Sequence, residues 1–135
     1  MAESTTEIIV RGYHLDGYQH VNNARYLEFL EEARWQYLDN ISKEAYGKMG
    51  WAFAVVNINI NYRYPATFGD ILQIKTTAGE IKNSSMTFLQ EISLKDSGKT
   101  VCDAKITFVI LDQKTGRPLR IEGNLKAVLL KEEAI

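Results

Sequence analysis

The chain has 135 residues, the length of one ordinary domain, and at that size roughly two-thirds of the unfolded surface can be buried on folding. A hydrophobic fraction of 45% and a charged fraction of 24% are those of an average globular protein, which excludes a disordered, collagen-like or supercharged chain. Net charge is -1 with the basic residues dispersed, so there is no Lys/Arg run to neutralise a row of phosphates, and nucleic acid is not an expected partner.

The first residues, Met1 to Glu7, are polar and acidic, without the basic start and apolar run of a secretory signal. Nothing downstream approaches the ~20 apolar residues of a membrane span, so the expectation is a cytoplasmic protein without membrane insertion. Thr6 to Tyr13, with Ile8 and Val10 among polar neighbours, predicts a short first strand, and a loop follows from His14 to Val21. From Asn22 the period changes. Tyr26, Leu27, Leu30, Ala33, Arg34, Tyr37 and Leu38 recur at intervals of three and four, while Glu28, Glu31 and Glu32 fall elsewhere, which predicts an amphipathic helix ending near Asn40. Asn22 and Asn23 are candidate N-caps; Ser42 caps a shorter second helix through Lys48, which Gly50 releases.

From Trp51 the period becomes two, most clearly where Val56, Ile58, Ile60, Tyr62 and Tyr64 alternate with Asn57, Asn59, Asn61 and Arg63, until Pro65 ends the strand. Three more alternating runs, Ile71 to Lys82, Met86 to Lys95 and Thr100 to Asp112, are separated by turn-forming clusters at Asn83-Ser84 and Asp96-Ser97-Gly98. Such short links imply an antiparallel meander. Ile121 to Glu133 predicts a closing helix with Leu125, Val128 and Leu129 on one face. No linker or repeat marks a second unit, so residues 1–135 are expected to form one α+β domain, a curved antiparallel sheet around one long helix. The second sheet face and the edges need cover that so short a chain hardly supplies, and an oligomer is expected. Cys102 lies in an alternating apolar segment, as a small buried hydrophobe would.

The chemistry concentrates between Val10 and Tyr26, where an acid, two histidines and two asparagines stand directly before the long helix. Asp16 sits beside Gly17 in a tight loop, so its carboxylate can approach a ligand lying over the helix start, and free backbone N–H groups around Asn23 and Ala24 would point to the same place. Thioester hydrolysis needs a group that attacks the carbonyl or activates a water, and donors for the oxyanion that develops. Loop and helix start could supply both, and a thiolate leaves without a metal ion. Each residue also has a plainer reading. An Asp before a helix is more often a loop or capping residue, His20 can orient the turn, His14 can sit at a strand end, and Asn22 and Asn23 are sufficiently explained as caps.

The run Arg11 to Tyr26, with Asp16 four residues before His20-Val21-Asn22-Asn23 and then Tyr26-Leu27-Glu28, resembles the 4-hydroxybenzoyl-CoA thioesterase-like branch of the hotdog proteins. The fuller string through Trp35, with Val56 to Arg63 and Pro65-Ala66, is similar to the bacterial FadM-type long-chain acyl-CoA thioesterases, and the likeness spans nearly the whole chain. That resemblance implies a hotdog fold of about five strands, hydrolysis of medium- to long-chain acyl-CoA, and no cofactor or metal. Asp16 matches the essential carboxylate, nucleophile or general base, and Asn23 the position whose backbone N–H polarises the thioester carbonyl; His20 and Asn22 fall within the signature. It also implies sites at subunit interfaces of a dimer, often paired into a tetramer, with CoA along the surface and the acyl chain between helix and sheet. The wider family commonly has an acidic residue at the place of His14 and glycine at that of Gln19; the FadM-type subgroup shares both substitutions.

Two alternatives stand beside this expectation: an acyl-acyl carrier protein thioesterase, for which the chain shows no clear basic docking patch, and a non-catalytic acyl-CoA-binding module. A hotdog dehydratase is disfavoured, because the stretch from Asn22 to Asn40 contains no histidine.

Overall fold

The computed structural model describes residues 2–135, and local sequence signals set most of its element boundaries. In chain order these are strand β1 (Glu3–Ile9), a 3-10 turn (Gly12–His14), helices α1 (Asn23–Tyr37) and α2 (Lys43–Met49), strands β2 (Trp51–Tyr62), β3 (Ile71–Ile81), β4 (Ser85–Leu94) and β5 (Thr100–Asp112), and helix α3 (Gly123–Leu129). Asn22 is extended and its Oδ1 accepts from Ala24 N–H at 2.9 Å, which fixes where α1 begins. Ser42 caps α2 by accepting from Ala45 N–H at 3.1 Å, and Gly50 leaves it at a φ of 67°, where a side chain would be strained.

Several elements differ from their predicted spans: α1 ends at Tyr37 rather than near Asn40, and β2 at Tyr62 rather than at Pro65. β1 ends before Val10, whose N–H donates to the Asp70 carbonyl at 2.9 Å instead of continuing the ladder, and it starts earlier because polar Glu3 to Thr5 pair with Thr77 to Lys75 at the sheet edge. α3 is shorter than predicted but buries Leu125, Val128 and Leu129.

Among the described residues the strands form one antiparallel sheet in the order β1-β3-β4-β5-β2. The short links do place β3, β4 and β5 side by side. β2, although it precedes β3, crosses to the far edge and pairs with β5. A bulge between Val55 and Asn57 resets its alternation, so Phe53 and Val55 lie opposite Ile110 and Phe108, while Ile58 and Ile60 lie opposite Ile106 and Ala104 on the same face.

α1 lies over β1 and β3, and it buries Tyr26, Phe29, Leu30, Ala33 and Tyr37. Phe29 joins this face where the spacing favoured Leu27, which is 36% exposed. The core is divided. One cluster joins Tyr26, Phe29, Leu30 and Ala33 to Leu72, Ile74 and Ile92, and the other joins Tyr37 and Leu38 to Met86, Phe88, Phe108 and α3. Between them Ser4, Thr76 and Gln90 stand opposite one another on β1, β3 and β4, and the row continues through Ala104 and Ile60 of the first cluster. Gln90 Nε2 donates to Thr76 Oγ1 at 2.9 Å and to the Leu30 carbonyl at 3.0 Å, and its Oε1 accepts from Arg34 Nη1 at 3.1 Å, so a fully bonded amide ties α1 to the middle of the sheet.

A second tie holds the start of α1. Ala66, fully buried in the β2–β3 connection, donates its N–H to Tyr26 Oη at 3.0 Å and accepts from Val21 N–H at 2.9 Å, while Thr67 Oγ1 donates to the Gln19 carbonyl at 3.0 Å. On the other side of the loop His14 is buried; its Nδ1 accepts from Arg11 N–H at 2.9 Å and its carbonyl from Asn22 N–H at 2.9 Å. Burial lowers the His14 pKa from 6.5, the positive charge of Arg25 adds to this, Glu28 opposes it, and Arg11 contributes further in the lowering direction.

Tyr26→Phe removes the acceptor from the buried Ala66 N–H and should cost about 1–3 kcal/mol in urea denaturation. The folded state favours neutral His14, so the unfolded chain takes up more protons below 6.5. Stability should therefore fall as pH drops from 6.5 to the lowered folded-state value, and His14→Asn, which keeps an acceptor but does not titrate, should flatten that part of the stability–pH curve.

Candidate active site

Leu15 and Val21 form an antiparallel bridge that closes the loop between them into a small hairpin. Inside it the half-buried Asp16 donates its N–H to the His20 carbonyl at 2.8 Å, and Gln19 N–H donates to the Asp16 carbonyl at 3.1 Å. The Asp16 carboxylate is held from one side, where Oδ1 accepts from Tyr18 N–H at 2.8 Å and from His20 N–H at 3.4 Å. Its second oxygen, Oδ2, has no donor among the described residues. His20 thus orients the acid through its backbone. The turn requires a φ of 66° at Gln19, a left-handed conformation that costs a residue with a side chain about 1 kcal/mol.

The helix start is narrower than its sequence suggests. Ala24 N–H is taken by Asn22 Oδ1, and Arg25 N–H donates to the Asn22 carbonyl at 2.8 Å. Of the amides in the first turn, Asn23 N–H is left without an acceptor among the described residues, at the positive end of the helix dipole.

Asp16, His20 and Asn23 line one open concavity, and its opposite wall is the end of β2 from Tyr62 to Pro65. Asn22 is not on that wall, because its side chain is spent on the cap. Tyr62 Oη donates to the Asn23 carbonyl at 3.4 Å, and burial pushes its pKa up. Arg63 is ion-paired with Asp103, which also accepts from Asn61 Nδ2 at 3.1 Å; the guanidinium, ahead of the amide, holds the Asp103 carboxyl below its usual range. Sequence reasoning placed Arg63 in a polar ladder on the sheet and did not find this wall. The Tyr62-Arg63-Tyr64-Pro65 run marked a strand end, but the partner of that end is set by the crossover of β2.

An acid with one open oxygen and a helix-terminal amide in the same recess can flank a carbonyl group, the acid at its carbon and the amide at its oxygen. Cys102 takes no such part. It has no exposure, and burial pushes its thiol up to about 12, with Asp103 adding to the shift. No group of three His, Cys, Asp or Glu among the described residues could hold a metal ion, and no helix among them is long and apolar enough to cross a membrane.

Comparisons with known proteins identify the family. The chain matches the family described as the thioesterase-like superfamily over residues 10–129. It is 53% identical over 125 residues to the long-chain acyl-CoA thioesterase FadM of Escherichia coli, covering 92% of this chain and 95% of that protein. A chloroplastic acyl-acyl carrier protein thioesterase of Arabidopsis thaliana is 29% identical over 123 residues, covering 90% of this chain and 65% of that protein. Among solved structures, YbaW, a probable thioesterase from Escherichia coli, superposes with a TM-score of 0.86 at 51% identity, covering 94% of this chain and 96% of that one. With a family match over most of its length, more than half of its residues shared with FadM, and a five-stranded antiparallel sheet beside one long helix, this chain belongs to the thioesterase-like superfamily with the hotdog fold.

Proposed function

We propose that this protein, as one hotdog domain over residues 1–135, hydrolyses medium- to long-chain acyl-CoA to free fatty acid and CoA, with Asp16 as the catalytic carboxylate. The observation that carries the reading is the pairing of an open Asp16 oxygen with the unengaged Asn23 amide in one recess. The names of the relatives supply the substrate class.

In the reaction, the thioester carbonyl oxygen accepts from Asn23 N–H, and the helix end stabilises the negative charge that builds there. Asp16 attacks the carbonyl carbon, or takes a proton from a water that attacks it. Either way the carbon–sulfur bond breaks, CoA leaves as the thiolate and is protonated, and water supplies the hydroxyl of the fatty acid. Tyr18 and His20 amides aim the acid. Asn22 keeps the Ala24 amide occupied and so leaves the Asn23 amide to face the ligand.

The relative named for acyl carrier protein favours one second reading, in which the acyl group arrives on that carrier. Turnover of the two carriers at equal acyl chain length separates them. A homodimer, or a dimer of dimers, is also part of the proposal. β2 is a long edge strand on which Val55, Val56 and Ile58 are exposed at 46%, 58% and 39%, and an apolar edge of that kind invites pairing. A cytoplasmic place in fatty acid metabolism suits the free, buried Cys102 and the proposed substrate.

Asp16→Asn keeps the acceptor for Tyr18 N–H and should fold; with long-chain acyl-CoA, thiol release should fall by about 10²–10⁴-fold, and undiminished kcat would remove Asp16 from the mechanism. Sedimentation should show a dimer or larger species, which Val56→Lys shifts toward monomer.

A further inference from the structure

α1 lies over β1 and β3, and its other flank meets β2 at two places. At the site Tyr62 bonds the Asn23 carbonyl, and toward the other end of the helix Leu38, Phe53, Val55, Phe88 and Phe108 wall an apolar recess. Asn23, Leu27, Arg34 and Leu38 recur on one stripe of the helix, and Leu27 and Ile58 are apolar side chains left exposed between the two ends.

Arg34 lines that apolar recess. Its guanidinium is half-buried, and burial lowers its pKa, with Glu31 opposing the shift. None of the ion pairs among the described residues includes it. Its one hydrogen bond among them goes to Gln90 Oε1, and Gln90 cannot turn away, since its Nε2 is committed to Thr76 and the Leu30 carbonyl. Four of the five guanidinium donors remain for something else. A plain hydrocarbon gives them no acceptor, whereas a site that presents buried donors rejects a ligand lacking the matching oxygen.

We propose that the acyl chain runs from the site along α1 and β2, past Leu27 and Ile58, into this recess, and that Arg34, oriented by Gln90, selects chains carrying a hydroxyl or keto oxygen in mid-chain. This rests on the acyl-CoA hydrolysis proposed above. Glu31 lines the same recess, so a second carboxylate would meet like charge there, while a hydroxyl can donate to Glu31 and accept from Arg34. Helical rise puts Leu30, whose carbonyl marks the depth of Gln90, about 10 Å from Asn23, and the Arg34 backbone about 16 Å from it. An extended chain advances roughly 1.2 Å per bond, so the guanidinium lies beside roughly the ninth to thirteenth atoms of an acyl chain whose carbonyl sits at Asn23.

The test is kcat/KM of the wild-type protein for stearoyl-CoA and for its hydroxy derivatives substituted near the thioester, in mid-chain and at the methyl end. The mid-chain derivative should exceed stearoyl-CoA by about tenfold and the other two should not. In Arg34→Met that ratio should fall toward one, and Arg34→Lys, which keeps a donor, should recover part of it. A flat profile in the wild type overturns the inference whether or not the variants fold, and so does an Arg34→Met protein that is slower on every substrate with the ratio retained. Thiol release from stearoyl-CoA with a flat profile sinks this inference alone; no thiol release from any member sinks the hydrolase reading with it.

Discussion

The N–H and C=O of Ala66 hold the two halves of the site together. The amide reaches Tyr26 on the first turn of α1, and the carbonyl receives Val21 at the end of the Asp16 loop. Because Ala66 is fully buried, neither bond can be exchanged for water without leaving a polar group unsatisfied. The acid and the helix amide are therefore fixed relative to one backbone residue of a distant connection. Rigidity of this kind matters where donors must already point at developing charge, since reorganisation during the reaction would cancel their benefit.

A second polar tie acts deeper in the core. Gln90 has all of its donors and its carbonyl engaged, and it joins β4 to β3 and to a carbonyl in mid-helix. An apolar residue there would let α1 slide along the sheet at small cost, because hydrophobic packing is non-directional. The bonded amide admits one register. It also explains why a chain of this size has two apolar clusters: they are the two sides of the Ser4, Thr76 and Gln90 row.

The side of the molecule that α1 leaves open carries both the proposed acyl path and the edge proposed for dimerisation. β2 presents an unpaired edge, and its Phe53 and Val55 line the apolar recess beside α1. The bulge at Val56 makes this possible, since without it Phe53 and Val55 would face opposite to Ile58 and Ile60. The facing of both Val55 in the recess and Ile58 beyond it thus depends on one irregularity.

Sequence alone determined the helix starts at Asn22 and Ser42, the release at Gly50, the span of β5, and the placing of Asp16 in a loop before α1. These follow from bonds and φ values that involve residues a few positions apart, and the residue types that make them are visible in order. Tertiary structure decided what lies far apart in the chain: the crossing of β2 to pair with β5, the wall from Tyr62 to Pro65 opposite Asp16, and the meeting of Arg34 with Gln90. It also decided that Phe29 rather than Leu27 is buried, because the lean of α1 toward β1 and β3 chooses which edge of its apolar stripe is covered. Periodicity gives a face to each element but not the angle or neighbour it meets; those come from burying all the faces at once.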